Sequence, residues 1–531
     1  MSKIIKIYND NKCLVWIILL GLILRVFYLL RKSGDLFVAN LGGDPCYHYN
    51  VAYNIANGLG PKTSFIYAYW FSHPEIPAYT DMYGPGYAAF LSLFLHLSDN
   101  FFNLRIANLI LGILSILIIY FIGKKIHSKQ LGLISAFFIA INFFHIENST
   151  VVMRELFNSF LTLIFFLILF NINKKSLSVF LIGIVTGYIS ITTGIWPIYL
   201  LILFLYLILK SKKISIKFIT VFFLGFLLTS FKWILITKQY FGEFYYSNLK
   251  FYPYVQSWSS MTLDKGFPDV SNFWTTINFQ EYISTHFSWF INNLYKGSLF
   301  LTPTFVYFLF FLLLPLCFYG ALKLKKNGFI LIFFSMTYFS GLSFASYAVS
   351  GTLWPRYYMT LLPAISLLLA SGIIPVLDII NKKYFNLNNS KIILSVFFIS
   401  CFITLVGIEY KTSYWENKNH RDFYEFGDKI KRITNEKSVI MYSITVADVW
   451  CATGRKVVHD IAVGGGHTMH RVKEEIDKYE VSHVFIDLSS ENYVFSEEKI
   501  SNILKNYHKV NLEEILKDTK KGYFFYKINK N

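Results

Sequence analysis

Apolar residues dominate the first 410 positions of the chain, where they form long runs separated by short polar loops. A helix needs about 20 mainly apolar residues to cross a bilayer. The pattern therefore predicts a polytopic α-helical membrane protein with about eleven spanning helices, within a range of roughly 11 to 13. The predicted spans are residues 13–30, 104–123, 131–147, 156–172, 177–193, 195–210, 216–236, 299–322, 327–348, 357–380 and 391–409.

The pattern changes after Tyr410, where charged residues become frequent and apolar runs shorten to the length of strands. Alternating helix and strand patterns are typical of a small α/β domain. We therefore divide the chain into a transmembrane domain, 1–410, and a soluble α/β domain, 411–531. Helical patterns cover 421–434, 469–480 and 496–507, and strand patterns cover 438–443, 456–460, 482–488 and 523–528.

Composition supports the membrane prediction, because 54% of the 531 residues are hydrophobic and only 15% are charged. Soluble domains carry roughly 25% charged residues. The net charge of +18 raises the possibility of a nucleic-acid partner. However, the lysines cluster in short loops between the apolar runs, which is the positive-inside pattern of membrane proteins rather than a basic binding face. We therefore expect no nucleic-acid partner.

The lysine-rich loops also predict the orientation of the chain in the cell membrane. With the N-terminus in the cytoplasm, every predicted inner loop is basic. The opposite side then receives a first outer loop (31–103), a second outer loop (145–155), the segment 237–298, the turn 354–358 and the C-terminal domain. The C-terminal domain is accordingly predicted to be extracytoplasmic.

Two outer segments have patterns of their own. The apolar stretch 86–97 is too short to span a bilayer and predicts an interfacial or re-entrant helix. Residues 237–298 are rich in aromatic and polar residues, which favours helices lying at the interface. The five cysteines form no C-x-x-C pair and indicate neither a zinc site nor a disulfide framework, although pairing of Cys46 with Cys451 stays open.

The stretch GGDPCYHYN (42–50) places Asp44 with Tyr47 and His48 just beyond the first span. An aspartate before a proline is commonly part of a turn, and this is one interpretation of Asp44. The alternative is a functional carboxylate, since ionisable groups near bilayer depth are costly and tend to serve function. We take Asp44 as a catalytic candidate, with Tyr47 and His48 as substrate-binding candidates.

Further charged residues should meet Asp44 on the outer face. Glu155 and Arg154 open a span, where Glu favours the helix N-terminus and Arg154 has no such explanation. Arg356, beside Tyr357 in WPRYY, is either an interface anchor or a donor for a phosphate. Asp81 lies in the first outer loop. We predict Glu155 as a second catalytic candidate, and Arg154, Arg356, Tyr357 and Asp81 as substrate-binding candidates.

The order of these features resembles the GT-C glycosyltransferases, in particular the group around protein O-mannosyltransferase-like and aminoarabinose-transferase-like enzymes. The matching stretches are the outer Asp followed by AYNIANGLG, then YGPGYAAFLSLFLHL, LRIANLILGILSILIIYFIGKK, an outer Glu opening a span, and RYYMTLLPAISLLLASG. The resemblance covers about residues 10–410. It implies a GT-C fold and a sugar donor carried on a polyprenyl phosphate.

The resemblance also implies roles for individual residues. Asp44 matches the essential carboxylate of the family, Glu155 an acidic residue of the second outer loop, and Arg356 an arginine that serves the site. Asp44 would then act as base on an acceptor hydroxyl of a lipid, glycan or protein, with inversion at the sugar. Near YGPGY the chain has Tyr83 and Gly84 where a basic residue could stand, which leaves a divalent metal ion open as cofactor.

Two alternatives remain beside this prediction. The stretch DPCYHYN also resembles oligosaccharyltransferase catalytic subunits, but the tail has no WWDYG motif and the second outer loop has no D-x-E pair. The rival from a different class is a polytopic transporter or lipid flippase. Transporters place ionisable residues and broken helices near the bilayer midplane, whereas here the charges lie at the loop edges.

Overall fold

The computed structural model describes residues 2–31, 43–66, 73–172, 176–210, 215–245, 304–350, 359–380, 421–442, 446–459, 476–487 and 511–529. The helices are α1 (Ser2–Arg31), α2 (Asp44–Ala56), α3 (Gly86–Leu95), α4 (Phe101–Ile126), α5 (Lys129–Ile141), α6 (Phe143–Asn148), α7 (Arg154–Phe170), α8 (Ser176–Thr193), α9 (Trp196–Leu209), α10 (Ile216–Phe241), α11 (Thr304–Leu324), α12 (Lys326–Ser350), α13 (Leu362–Ile380), α14 (Arg421–Ile433) and α15 (Val446–Thr453). The strands are β1 (Lys62–Thr63), β2 (Phe65–Ile66), β3 (Ala78–Tyr79), β4 (Val439–Tyr442), β5 (Lys456–His459), β6 (His483–Asp487), β7 (Asn511–Asp518) and β8 (Tyr523–Asn529).

Five helical segments in the described part are long and apolar enough to cross a bilayer, and the chain is a multi-pass membrane protein. The count of about eleven spans stays a prediction, and its last member, 391–409, lies outside the described residues. The five segments are Lys12–Arg31, Phe101–Ile126, Ser176–Thr193, Ile216–Phe241 and Met359–Val376.

Helix α10 shows how such a span meets lipid. Leu224, Leu228 and Phe231 are 58%, 70% and 53% exposed and follow one another along one helix face. Phe222, Phe226 and similar residues on the opposite face are buried, and α10 packs against α8. An apolar stripe that is exposed on one side and packed on the other is expected of a helix at the rim of a membrane bundle.

The predicted single span 131–147 is wrong, because two helices cover this stretch. Helix α5 ends at Ile141, and α6 begins at Phe143. The break follows from Asn142, which has an extended backbone and whose side chain accepts a hydrogen bond from the backbone N–H of His145 at 2.9 Å. An asparagine in this position caps a new helix instead of continuing the old one.

A buried arginine from another helix contacts residues on both sides of this break. Arg25 of α1 is fully buried and donates from its guanidinium to the carbonyl oxygens of Ile139 and Ala140, at 3.1 and 3.0 Å. It also donates to His145 Nδ1 at 2.7 Å and to Ser149 Oγ at 3.2 Å. The guanidinium thus satisfies carbonyls at the C-terminal end of α5 and joins them to the start of the second outer loop.

The predicted interfacial segments have different outcomes. Residues 86–97 form helix α3 over Gly86–Leu95, so a short helix lies where the sequence predicts one. Its site in the bilayer interface stays a prediction. For 237–298, α10 extends to Phe241, and residues 246–298 lie outside the described residues.

Strand β2 and five strands of the C-terminal part form a six-stranded sheet in the order β2-β5-β4-β6-β8-β7. Strands β2, β5, β4 and β6 pair in parallel. Strand β8 pairs antiparallel with both of its neighbours, β6 and β7. Helix α14 and strands β4, β5, β6 and β8 occur at their predicted places. The predicted helix 496–507 lies outside the described residues. So does the predicted helix 469–480, apart from residues 476–480. The sequence pattern did not predict α15 or β7.

Strand β2 connects the two parts of the chain. It belongs to the first outer loop, yet Phe65 and Ile66 pair with Val457 and Val458 of β5. A disulfide between Cys46 of α2 and Cys451 of α15 makes a second connection. The domain boundary at residue 411 stays a prediction, but the sheet that forms beyond it includes part of the first outer loop.

We predict that the Cys46→Ser, Cys451→Ser double variant unfolds at a lower temperature than the wild-type protein. The bond closes a loop with a sequence separation of 405 residues, and removal of a disulfide typically costs about 2–4 kcal/mol. Thermal unfolding of the purified protein in detergent measures the effect. Cys13→Ser is the control, because Cys13 is exposed and not disulfide-bonded. An unchanged Tm in the double variant would contradict the prediction.

Candidate functional site

Asp44 is the first residue of helix α2, and the backbone before it explains its position. Gly43 has φ 80, in the left-handed region that glycine adopts at low cost. The carbonyl of Gly43 then accepts the N–H of Tyr47 at 2.9 Å, which starts the helix. A carboxylate in the first turn is favoured by the helix dipole. The half-buried Asp44 side chain therefore lies at an electropositive helix end.

Tyr83 connects Asp44 to the second outer loop. Its hydroxyl donates to Asp44 Oδ1 at 3.0 Å. The guanidinium carbon of Arg154 lies over the Tyr83 ring, 3.9 Å from the ring centre, and His48 stacks on the same ring at 5.2 Å between ring centres. Tyr83 thus contacts an acid, a cation and an imidazole that come from two different loops.

The loop around Tyr83 can lie this close to the bundle because its next residue is glycine. A Cβ atom at Gly84 would collide with the carbonyl oxygen of Ile191, near the end of α8. Tyr188 of α8 further donates its hydroxyl to the carbonyl of Gly86 at 2.8 Å. Helix α8 therefore holds the YGPGY stretch and the Tyr83 ring in place.

Arg154 and Glu155 begin helix α7 beside Tyr83. The Arg154 Nε lies 4.0 Å from Glu155 Oε1, and the two side chains are 12% and 6% exposed. The sequence-predicted residues Asp44, His48, Arg154 and Glu155 are thus brought together around Tyr83. Their catalytic and binding roles stay predictions.

Two buried polar residues of α4 fix the second outer loop. Arg105 donates from Nε to the carbonyl of Thr150 at 2.7 Å. Asn108 donates from Nδ2 to the carbonyls of Val151 and Met153, the latter at 3.4 Å. The backbone that leads into Arg154 is therefore held by side chains from inside a membrane span.

Asn108 also connects to the first outer loop. It accepts a hydrogen bond from the Tyr87 hydroxyl at 3.0 Å, and the Tyr87 ring packs edge-on against His48 at 4.9 Å. Burial raises the pKa of Tyr87, and the nearby Glu155 charge raises it further. Tyr87 therefore stays a neutral hydrogen-bond donor at physiological pH.

Tyr47 is fully buried in the packing beneath the site. Its hydroxyl hydrogen-bonds Thr80, and its ring packs edge-on against Tyr83 at 5.1 Å. Burial raises the pKa of Tyr47, as does the charge of Asp81. The structure therefore gives Tyr47 a supporting contact with Tyr83, and substrate binding by Tyr47 stays a prediction.

Asp81 takes part in a separate contact between parts of the chain. Its Oδ2 lies 3.1 Å from Nε2 of the buried His73, whose Nδ1 lies 3.3 Å from the hydroxyl of Tyr240 at the end of α10. Tyr479 of the C-terminal part donates its hydroxyl to the His73 carbonyl at 2.7 Å. These contacts join Asp81 to α10 and to the C-terminal part.

Arg356 and Tyr357, the two remaining candidates, lie outside the described residues. Among the residues that the structure describes, no group of three His, Cys, Asp or Glu side chains is placed to hold a metal ion. The described acids Asp44 and Glu155 contact Tyr83 and Arg154 instead. The divalent metal ion that the sequence leaves open as cofactor stays a prediction.

The sequence pattern did not predict Tyr83 or Asn108 as residues of the site. Asn108 is a polar residue inside an apolar helix, and polar groups at such positions commonly serve function. Tyr83 carried no comparable signal, because tyrosines are frequent throughout the outer segments.

Comparison with known proteins gives one family match. Residues 73–234 match the family model described as dolichyl-phosphate-mannose-protein mannosyltransferase. This range contains Tyr83, Asn108, Arg154 and Glu155. No curated protein sequence matches the chain.

Solved structures match the fold over nearly the whole chain at low sequence identity. ArnT from Cupriavidus metallidurans bound to undecaprenyl phosphate has a TM-score of 0.58 at 9% identity, covering 97% of this chain and 98% of that one. The Archaeoglobus fulgidus oligosaccharyltransferase in complex with Zn and sulfate has a TM-score of 0.57 at 16% identity, covering 97% and 72%.

The same archaeal enzyme, AglB, in complex with an inhibitory peptide and a dolichol-phosphate, has a TM-score of 0.52 at 14% identity, covering 95% of this chain and 74% of that one. At identities this low, the structural matches show a shared fold alone. The family match and the fold together confirm the predicted resemblance of this chain to the GT-C glycosyltransferases.

Proposed function

We propose that this protein is a membrane glycosyltransferase that moves a sugar from a polyprenyl phosphate to an acceptor hydroxyl at the outer face of the membrane. The observation that carries the proposal is the contact chain from Asp44 through Tyr83 to Arg154 and Glu155. It supports the proposal because a carboxylate suited to proton removal and a cation suited to a leaving phosphate both contact Tyr83.

In the proposed reaction the acceptor oxygen attacks the anomeric carbon of the sugar. The acceptor O–H proton passes to the Asp44 carboxylate, and the bond between the anomeric carbon and the phosphate oxygen breaks. Polyprenyl phosphate leaves with the bonding electron pair, and the sugar inverts its configuration. The hydrogen bond from Tyr83 orients the Asp44 carboxylate for this step.

Arg154 is the described residue best placed to stabilise the phosphate that leaves. Its guanidinium is held over the Tyr83 ring, and preorganised charge at a developing anion is commonly the largest catalytic contribution. Arg356 joins it in this role by resemblance. The undecaprenyl phosphate and dolichol-phosphate bound by two structural relatives support a lipid phosphate as leaving group.

The disulfide supports the proposed outer location of the site. Cys46 lies two residues after Asp44, and its bond to Cys451 joins α2 to the C-terminal part. Disulfides persist in oxidising compartments and are rare in the cytosol. An extracytoplasmic site and C-terminal domain, with the N-terminus in the cytoplasm, agree with this bond and with the basic inner loops.

A donor assay tests the proposed function. Purified full-length protein is incubated with polyprenyl-phosphate sugars, both hexoses and pentoses, and with acceptor hydroxyl compounds that include peptides, glycans and lipid extracts. We expect conversion of at least one donor to free polyprenyl phosphate, measured by mass spectrometry. Folded protein that consumes no donor but exchanges lipid between the leaflets of a vesicle would instead support the flippase alternative.

A further inference from the structure

Helix α7 carries a line of polar side chains that extends from the site into the membrane bundle. Glu155, Asn158, Ser159 and Thr162 stand at spacings of three and four residues, which places them on one face of the helix. All four are buried, at 5%, 5%, 0% and 0% exposure. Polar side chains in the interior of a membrane bundle are costly unless they are hydrogen-bonded.

Several of these side chains end in atoms without a hydrogen-bond partner. Among the described residues this applies to Glu155 Oε2, Asn158 Oδ1 and Ser159 Oγ. The same holds for Oγ1 of the fully buried Thr186, which lies on α8. Helix α8 packs against α7. Buried polar atoms are nearly always bonded in folded proteins, so these atoms are available to a ligand.

The unpartnered atoms on α7 end at Thr162, whose hydroxyl has hydrogen-bond partners. Thr162, one turn deeper than Asn158, donates its hydroxyl to the Asn158 carbonyl at 2.8 Å and lies 2.6 Å from the Tyr199 hydroxyl. Tyr199 is itself packed against Phe165 and Phe334. Below Ser159 the polar groups are therefore satisfied and the bundle is closed by aromatic rings.

The outer end of the line opens on the proposed site. Glu155 Oε1 faces Arg154 at 4.0 Å, while Oε2 belongs to the unpartnered group. Tyr87 and Tyr338 both lie within electrostatic range of Glu155. The Glu155 carboxylate thus lies next to Arg154 at the proposed site and also begins the row of polar side chains on α7.

We propose that the α7 face formed by Glu155, Asn158 and Ser159, together with Thr186 of the adjacent helix α8, binds the hydroxyl groups of the sugar carried by the donor lipid. This inference rests on the proposed function and assigns the part of the donor that the phosphate-binding residues do not contact. A carboxylate and an amide oxygen accept hydrogen bonds, and the two hydroxyl groups both donate and accept. That set is complementary to a ring with several free hydroxyl groups.

The proposal predicts opposite effects on stability and on donor binding. Asn158→Leu and Ser159→Ala remove buried atoms that lack a partner in the ligand-free protein, so both variants should unfold at a higher temperature than the wild type. Both should also bind the glycosylated donor more weakly, by about tenfold each, because a hydrogen bond to the sugar is lost. Neither should change affinity for polyprenyl phosphate without sugar.

The experiment measures binding of polyprenyl phosphate, polyprenyl-phosphate mannose and polyprenyl-phosphate glucose to the full-length protein in nanodiscs, together with its Tm. Ser115→Ala is the matched control for Ser159→Ala. Ser115 is also a fully buried serine inside a membrane helix, but its hydroxyl donates to the Leu111 carbonyl at 2.8 Å. We expect that variant to keep the wild-type preference for a glycosylated lipid.

The possible outcomes separate this inference from the proposed function. Wild-type protein that binds none of the three lipids contradicts the proposed function and the inference with it. Wild-type protein that binds all three equally, or variants that keep the wild-type preference, contradict the sugar site alone. Titration with Mg²⁺ and Mn²⁺ without lipid is a further check, because cation binding that Asn158→Leu abolishes would assign these oxygen atoms to a metal and overturn the inference.

Discussion

Asp44→Asn should lower the rate of sugar transfer by about 10² to 10⁴, the usual contribution of a positioned general base. Asparagine has nearly the shape of aspartate and can still accept the hydrogen bond from Tyr83, so the helix start should be kept. What the variant loses is the carboxylate that takes the acceptor proton. The measurement is the initial rate of donor consumption at saturating donor, with donor affinity determined separately.

Asp99→Asn is the matched control for this prediction. Asp99 is also in the first outer loop and also accepts a hydrogen bond from a tyrosine, Tyr49, at 3.1 Å, but at an exposed position. We expect it to transfer sugar at the wild-type rate. The rate of sugar transfer by Tyr83→Phe should lie between the rates of Asp44→Asn and Asp99→Asn. This variant keeps the ring beneath Arg154 but loses the hydrogen bond to Asp44. Transfer by Asp44→Asn at the wild-type rate would remove Asp44 from the role of base.

Arg25→Leu should cause the largest loss of stability among the substitutions considered. The carbonyls of Ile139 and Ala140, near the end of α5, lose the donor that satisfies them. Each buried polar group left unsatisfied costs about 1–3 kcal/mol. The variant should also lower transfer, since Arg25 holds Ser149 at the start of the second outer loop. Thermal unfolding and donor consumption measure the two effects.

The control for Arg25→Leu is Arg31→Leu, which removes the same charge from the exposed C-terminal end of the same helix. We expect that control to lower Tm by far less. Arg25→Lys keeps a cation but offers no planar fork of donors, so it should recover only part of the stability. A Tm for Arg25→Leu equal to that of the wild type would show that the α5–α6 break does not depend on the guanidinium.

Local patterns in the sequence predicted most of the helical architecture. The apolar runs of α4, α7 and α8 are long and bounded by polar loops, so their positions follow from the length that a bilayer requires. The break at Asn142 was missed because the residues on either side of it are apolar. The carbonyls before the break accept hydrogen bonds from a guanidinium of α1, more than a hundred residues earlier, and no local window contains that residue.

The candidate site likewise contains residues that the sequence predicted and residues that it did not. Asp44, Arg154 and Glu155 were found because charged residues at the edges of apolar runs need an explanation. Tyr83 was missed because its importance comes from what it contacts and not from its own chemistry. Strand β2 was missed for a related reason, since two residues, Phe65 and Ile66, carry no strand pattern and pair only with a partner from the far end of the chain.

The pairing of β2 with β5 and the Cys46–Cys451 bond have a consequence for biosynthesis. Ribosomes add about 5–20 residues each second, so the sequence separation of 405 residues corresponds to roughly 20 to 80 s between the emergence of the two cysteines. During this interval the loop that carries Asp44 has neither its strand partner nor its covalent anchor. We therefore expect this loop to reach the conformation described here only after the residues around Cys451 have been made.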